Sequence, residues 1–152
     1  MKRTEPRSGC PINFSLEILG DTWSLLILRD IIYFGKQTYN EFLDSDEHIA
    51  PNILAARLKR LQGSGLLTRK PHPRDKRKEV YELTEDGLEL IPVLLEMANW
   101  GAKYVSQESL PHAWLDAVRS NRNEMVRRVR ETVSSGGAIF VGENSVVEQL
   151  GL

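Results

Sequence analysis

The sequence predicts a mainly α-helical fold with a small β-hairpin wing, the arrangement of a winged helix-turn-helix. Three observations lead there. Two short helical patterns joined by a polar turn follow a strongly apolar helix. Two short strand patterns come next, separated by a proline-bearing loop rich in Lys and Arg. Positive charge is concentrated on the second short helix and that loop, and this order of elements is the one a winged helix requires.

Residues 12–19 form a short amphipathic segment that ends at Gly20. The run from Trp23 to Phe34 is apolar at helical spacing with almost no polar face, so it belongs at the centre of the domain, and Gly35 stops it. Thr38 and Glu41 have the spacing of a capping box and start a short helix with Tyr39, Phe42 and Leu43 facing inward. Beyond the polar turn from Asp44 to His48, Pro51 occupies the first turn of a helix reaching Gln62. Leu54, Leu58 and Leu61 line one side of that helix, and Asn52, Ala56, Lys59 and Arg60 the other, with Ala55 at the margin. Gly63 and Gly65 end it. Leu66 to Lys70 and Val80 to Leu83 read as strands. Thr84 caps a long helix with Glu85 and Asp86 at its positive end and a kink expected at Pro92. A last helix is expected from His112 to Val133, broken by Gly136-Gly137, and the residues after it show no pattern. The organisation is therefore an N-terminal arm (1–9), a winged-helix domain (10–105) and a helical extension (106–152), which either joins a dimer or covers its own domain.

The 152 residues are 41% hydrophobic and 27% charged, a balance suited to a folded domain. The net charge of −1 hides a strong asymmetry. Nine Lys or Arg and one acid lie between Arg57 and Lys78, whereas seven acids and one base lie between Glu79 and Glu108. That split marks a binder with one basic face, and double-stranded DNA is the expected partner. No run is long and apolar enough for a bilayer, so no membrane contact is expected. The basic N-terminus lacks the apolar stretch of a secretory signal, and a lone cysteine excludes an intramolecular disulfide framework, so the chain reads as cytoplasmic. His48, His72 and His112 lie on unrelated segments, with no metal-ligand spacing and no glycine-rich phosphate loop. No catalytic residue, metal or cofactor is expected, and the chain does not read as an enzyme.

The candidate DNA-binding residues fall into two groups. On the Pro51–Gln62 helix, Asn52 is placed either to read adenine or to bond a phosphate, and Lys59 and Arg60 to hold phosphates nearer the groove wall. Ala55 and Ala56 either touch thymine methyl groups or simply favour helix. In the loop, Arg74, Lys76, Arg77 and Lys78 sit over phosphates or enter the minor groove. A winged helix used only for protein–protein contact is the alternative, and it favours apolar rather than basic wing residues.

The residues resemble those of the HxlR-type regulators, winged-helix relatives of the MarR group. The resemblance rests on Cys10-Pro11, on Gly20 and Trp23 with Leu25-Leu26-Ile27-Leu28-Arg29, and on Ile49-Ala50-Pro51-Asn52-Ile53-Leu54. Arg57-Leu58-Lys59-Arg60-Leu61, Gly65-Leu66, Tyr81-Glu82-Leu83-Thr84 with Gly87, and Trp100-Gly101 continue it. It departs from the family pattern at Thr22, where Lys is frequent, at Ala50, where a serine cap is common, and in a more basic wing. The resemblance implies a homodimer on a palindromic operator, built from terminal helices, with Phe14, Leu16, Ile18, Trp100 and Tyr104 as interface residues; Trp100 serves equally well as a core residue. It also implies a thiol switch at Cys10, responsive to oxidants or a small electrophile. Cys10 precedes the first helix with Arg7 nearby, and the other reading is a small buried residue beside the dimer seam. Another effector is equally compatible with the sequence.

Overall fold

The structure, a computed structural model, describes residues 5–152; the first four residues of the expected arm lie outside the described residues. Helix α1 (Pro11–Leu19) starts with proline in its first turn, after Cys10 as N-cap. Helix α2 (Ser24–Phe34) runs through the centre of the domain, with Leu28 and Ile32 fully buried. Gly35 closes it in the left-handed conformation, φ 65°, where its N–H reaches the Ile31 carbonyl at 3.1 Å. Helix α3 (Tyr39–Leu43) carries the expected capping box between Thr38 and Glu41. Helix α4 (Pro51–Gly63) buries Leu54, Leu58 and Leu61.

Strands β1 (Leu67–Pro71) and β2 (Glu79–Leu83) pair antiparallel, with Leu67 opposite Leu83 and Pro71 opposite Glu79. The Tyr81 N–H donates to the Gln37 carbonyl at 2.8 Å, which fastens the hairpin to the α2–α3 connection. Thr84 ties the end of the hairpin to the start of β1 and to the next helical turn. Its hydroxyl donates to the Gly65 carbonyl at 2.6 Å and accepts from the Gly87 N–H at 3.0 Å. A Cβ at residue 87 would lie 2.3 Å from the Leu66 carbonyl oxygen, so this close approach requires glycine. These contacts and the central position of α2 make the fold a winged helix-turn-helix.

The structure differs from expectation in three places. The long helix after Thr84 is two helices, α5 (Glu85–Leu88) and α6 (Ile91–Gly101), because Pro92 sits in the first turn of α6 rather than inside a continuous helix. Proline lacks the N–H that an interior position needs, and the first turn does not use it. After a 3-10 turn (Gln107–Ser109), the expected final helix is also two, α7 (His112–Ser120) and α8 (Arg122–Ser134). They separate at Asn121, whose extended backbone (φ −150°, ψ 72°) leaves the helix while its side chain accepts from the Glu124 N–H. The patternless C-terminal residues contain α9 (Val146–Leu150), capped by Ser145.

The extension shares the core of the winged helix: Trp114, Val118, Met125, Val129, Ile139 and Val146 belong to the same buried cluster as α2 and α4. Main-chain bonds reinforce the packing. The N–H groups of Ile139 and Phe140 donate at 3.0 Å to the carbonyls of Ile32 and Tyr33, two groups at the end of α2 that its own helix leaves free. Among the described residues no helix is long and apolar enough to cross a membrane.

A carboxylate joins α1, α2 and α4. Asp21 accepts the N–H groups of Trp23 and Ser24 at 2.9 Å, the Ser24 hydroxyl, and Nε of Arg57 at 3.0 Å. Arg60 approaches the same carboxylate at 3.9 Å and donates to the Glu17 carbonyl in α1. Burial opposes the charge on Asp21, but the bonds from Ser24, Trp23 and Arg57 outweigh it and hold the carboxyl at about 2.

This packing makes two stability effects measurable. Asp21→Asn lowers stability by about 1–3 kcal/mol near neutral pH, read from urea denaturation. The contribution of a carboxyl depressed from 3.8 to about 2 is complete above the higher value and disappears as pH falls through the lower. The difference between the two proteins therefore shrinks in that window, and a pH-independent difference contradicts the assignment. Ile139→Ala lowers stability by about 2–4 kcal/mol while unfolding remains one transition, because the extension and the winged helix share a core. Separate melting of the two parts refutes this.

Candidate nucleic-acid interface

Because α4 anchors through its leucines, its helical period turns Asn52, Ala55, Ala56 and Lys59 to solvent. Ala50 supplies no side-chain cap. The start of the helix is instead held by Tyr39, whose hydroxyl donates to the Pro51 carbonyl at 2.9 Å. The outer face thus combines a small apolar surface with an amide and an ammonium group.

The turn leading into α4 is fixed by charge pairing. Asp30, only 3% exposed, accepts a bond from the Ser45 hydroxyl and pairs with Arg29 at 2.7 Å and Lys36 at 3.5 Å. Arg29 also forks onto Glu47, with bonds of 2.5 and 2.9 Å. The Arg29 bond holds the Glu47 carboxyl at about 2, and Glu47 in turn, followed by Asp30, strengthens the guanidinium's hold on its proton. Two carboxylates and two cations close the network without an uncompensated buried charge.

The hairpin tip is ordered by its own hydrogen bonds. His72 Nδ1 accepts the N–H groups of Arg74 and Asp75 at 3.1 and 3.2 Å, and the His72 N–H donates to the Lys78 carbonyl at 2.9 Å. The Arg77 side chain and N–H both bond Asp75 at 3.1 Å and pull its carboxyl below the usual range. Along the strands, Arg69 pairs with Glu79 and Lys70 with Glu82, each at 2.9 Å. Arg74, Lys76 and Lys78 have no ion pair among the described residues and are exposed.

A concavity of about 740 Å³ between α4 and the wing is bounded by Tyr39, Ala55, Lys59, Gln62, Arg69 and Tyr81; it brings together Ala55 and Lys59 of the residues singled out from the sequence, and Asn52, Ala56 and the wing-tip cations do not line it. Gln62 and Arg69 were not among the residues singled out from the sequence. The strand alternation that aims Arg69 at α4 was the available signal for it. Arg60, by contrast, turns inward to Glu17 and Asp21, away from the exposed row.

Elsewhere, Cys10 is exposed at the start of α1, and its carbonyl accepts the Phe14 N–H at 3.0 Å. Phe14 and Leu16 are exposed and Ile18 is half-buried. Trp100 and Tyr104 are 65% and 71% exposed, and their rings meet at a tilt of 51° with centroids 5.0 Å apart. Val93 and Met97 extend the same strip along α6, and Ile12 adds to that of α1. The described residues contain no group of three His, Cys, Asp or Glu able to hold a metal ion.

Comparison with known proteins places these features in a family. The HxlR-like helix-turn-helix family matches residues 18–109. The uncharacterized HTH-type transcriptional regulator YdeP of Bacillus subtilis is 36% identical over 96 residues, covering 63% of this chain and 74% of that protein. Among solved structures, PA1607, a putative transcription factor by its description, superposes with a TM-score of 0.60 at 36% identity, over 66% of this chain and 68% of that one. The redox regulator HypR in its oxidized form gives a TM-score of 0.57 at 31% identity, covering 64% of this chain and 99% of that one. The reduced transcriptional regulator YodB from B. subtilis gives 0.52 at 28% identity, covering 66% and 98%. With its α2–α4 core, its basic wing and a match spanning most of the chain, this protein belongs to the HxlR-like helix-turn-helix family.

Proposed function

We propose that the protein is a transcriptional regulator that binds a palindromic DNA operator as a homodimer, laying α4 in the major groove and the wing along the adjacent backbone. The observation that carries this reading is the joint placement of Asn52, Ala55, Ala56 and Lys59 on the exposed face of α4, beside a wing whose Arg74, Lys76 and Lys78 have no ion pair among the described residues. Asn52 has both donor and acceptor for an adenine edge. Lys59 and the wing cations neutralise phosphates, and Arg77 joins them on leaving Asp75. Arg60 acts by orienting α4 from the protein side, through Glu17 and Asp21. A dimer covers the apolar strips of α1 and α6, with Phe14, Leu16, Ile18, Trp100 and Tyr104 in the seam. Cys10, at the head of α1, then acts as a thiol switch: the Cys10 thiols of the two subunits join in one disulfide, their two protons and two electrons pass to an oxidant such as diamide, and the spacing of the two α4 helices changes. The description of HypR as a redox regulator supports this part of the reading.

A duplex selected by the protein from random sequence tests the assignment. The enriched sites are two-fold symmetric, with half-sites about one helical turn, roughly 10 bp, or a multiple of it apart. Asn52→Ala costs about 1–3 kcal/mol on the selected site and little on random DNA. Lys76→Ala weakens both and lowers the salt slope by about one unit. Parallel losses in both variants contradict the role of Asn52, and an asymmetric single site contradicts the dimer.

The seam and the thiol have separate readouts. Trp100→Glu yields a monomer by sedimentation that retains its fold; a dimer of unchanged strength rejects the α6 seam. Diamide changes the operator affinity of the wild type and leaves Cys10→Ser unaffected. Unaltered affinity after complete reaction of the thiol rules out the switch.

A further inference from the structure

We propose that the concavity between α4 and the wing is a phosphodiester subsite for one strand of duplex DNA, with Arg69 as its exchangeable cation. Glu79 holds Arg69 in the free protein, and a backbone phosphate takes it over on binding. Arg69 thereby joins the cations of the DNA-binding reading, on which this subsite rests. Alternation along β1 sends Arg69 and Lys70 to opposite faces of the hairpin. Each meets a glutamate of β2 at 2.9 Å, Arg69 through its Nε, and the four side chains are 40–54% exposed.

The two pairs differ in their surroundings. Lys70 opens onto a cleft against the end of α8, where Glu82 lines the same walls and no second cation is present. Arg69 opens onto the α4–wing concavity, whose walls also carry Lys59 and Gln62 and no carboxylate; Glu79 grips Arg69 from outside them. Two cations and an amide around a space without an acid are complementary to an anion. With α4 in the major groove and the wing on the adjacent backbone, the strand between them runs through this space. The exchange is favourable on elementary grounds. An exposed ion pair holds its partners by a factor of about five at most, because water screens both charges. A guanidinium on a phosphate makes charge-assisted bonds and releases a condensed counterion from the duplex. Glu79, already 45% exposed, is rehydrated when it lets go.

Full-length protein titrated with a random-sequence duplex at several salt concentrations supplies the test. Arg69→Ala is expected to weaken binding by about fivefold to tenfold and to lower the salt slope by about one unit, while Arg69→Lys keeps the slope. Lys70→Ala makes the same change in net charge on the other face of the hairpin and leaves the slope at its wild-type value. A second readout follows the exchange itself. The Arg69 Nε–H signal of the ¹⁵N-labelled protein, identified by its loss in Arg69→Ala, differs between wild type and Glu79→Gln when both are free. On duplex, the wild-type signal moves and the two converge. A wild-type slope in Arg69→Ala, a slope lowered equally by Lys70→Ala, or an Arg69 signal that duplex leaves in place overturns the subsite, while DNA binding by the wild type stands. A wild type that binds no duplex overturns the DNA-binding reading and the subsite together.

Discussion

Placing the carboxylate of Asp21 at the meeting point of α1, α2 and α4 carries a desolvation penalty, and the domain offsets it with directed donors. Two backbone N–H groups and a hydroxyl come from the start of α2, and a guanidinium comes from α4. The penalty makes the geometry restrictive, because losing a donor leaves a partly buried charge unsatisfied. The leucine stripe of α4 sets how deeply that helix sits in the core, but apolar contact is non-directional and tolerates rotation about the helix axis. The bond from Arg57 to Asp21 removes that freedom. With Tyr39 holding the first turn and the Arg29–Asp30–Glu47 network holding the preceding loop, Asn52 and Lys59 face outward as a consequence of interactions made elsewhere.

Ion pairing also changes the meaning of the basic segment. Of its nine cations, Arg57 and Arg60 are committed to the interior side of α4, Arg69 and Lys70 to glutamates of the opposite strand, and Arg77 to Asp75. Lys59, Arg74, Lys76 and Lys78 are left as exposed cations without an ion pair among the described residues. The positive field of this segment is therefore set by fewer charges than the segment carries, and three of the four unpaired cations lie at the wing tip. His72 and Asp75 organise that tip through backbone bonds, so a segment that reads as a solvated loop presents its cations on a defined turn.

Much of this was legible in the sequence because the relevant signals are local. The apolar period of α2, the Thr38–Glu41 capping box, Pro51 in a first turn and the leucines of α4 each specify an element within a few residues. The breaks before α6 and at Asn121 were harder to read, because the apolar period continues across both while a proline or a cap interrupts the backbone. The inward turn of Arg60 was not legible either, since its partners Glu17 and Asp21 lie far away in sequence. Residues 138–147 have little helical or strand pattern. Their order comes from main-chain bonds to α2 and from burial of Ala138, Ile139 and Val146, which are tertiary rather than local facts.

The bonds from Ile139 and Phe140 to the end of α2 also bear on how the chain reaches its fold during synthesis. The central helix emerges from the ribosome early, yet two of its carbonyls receive their partners only when a segment far downstream has been translated. Contacts of such long sequence separation close late, because the entropy of the intervening chain must first be overcome. Until then the aromatic end of α2, Tyr33 and Phe34, lacks the cover of Phe140. Nascent chains interrupted before this segment thus present a hydrophobic surface suited to capture by chaperones, and ribosome pausing over the extension prolongs that interval.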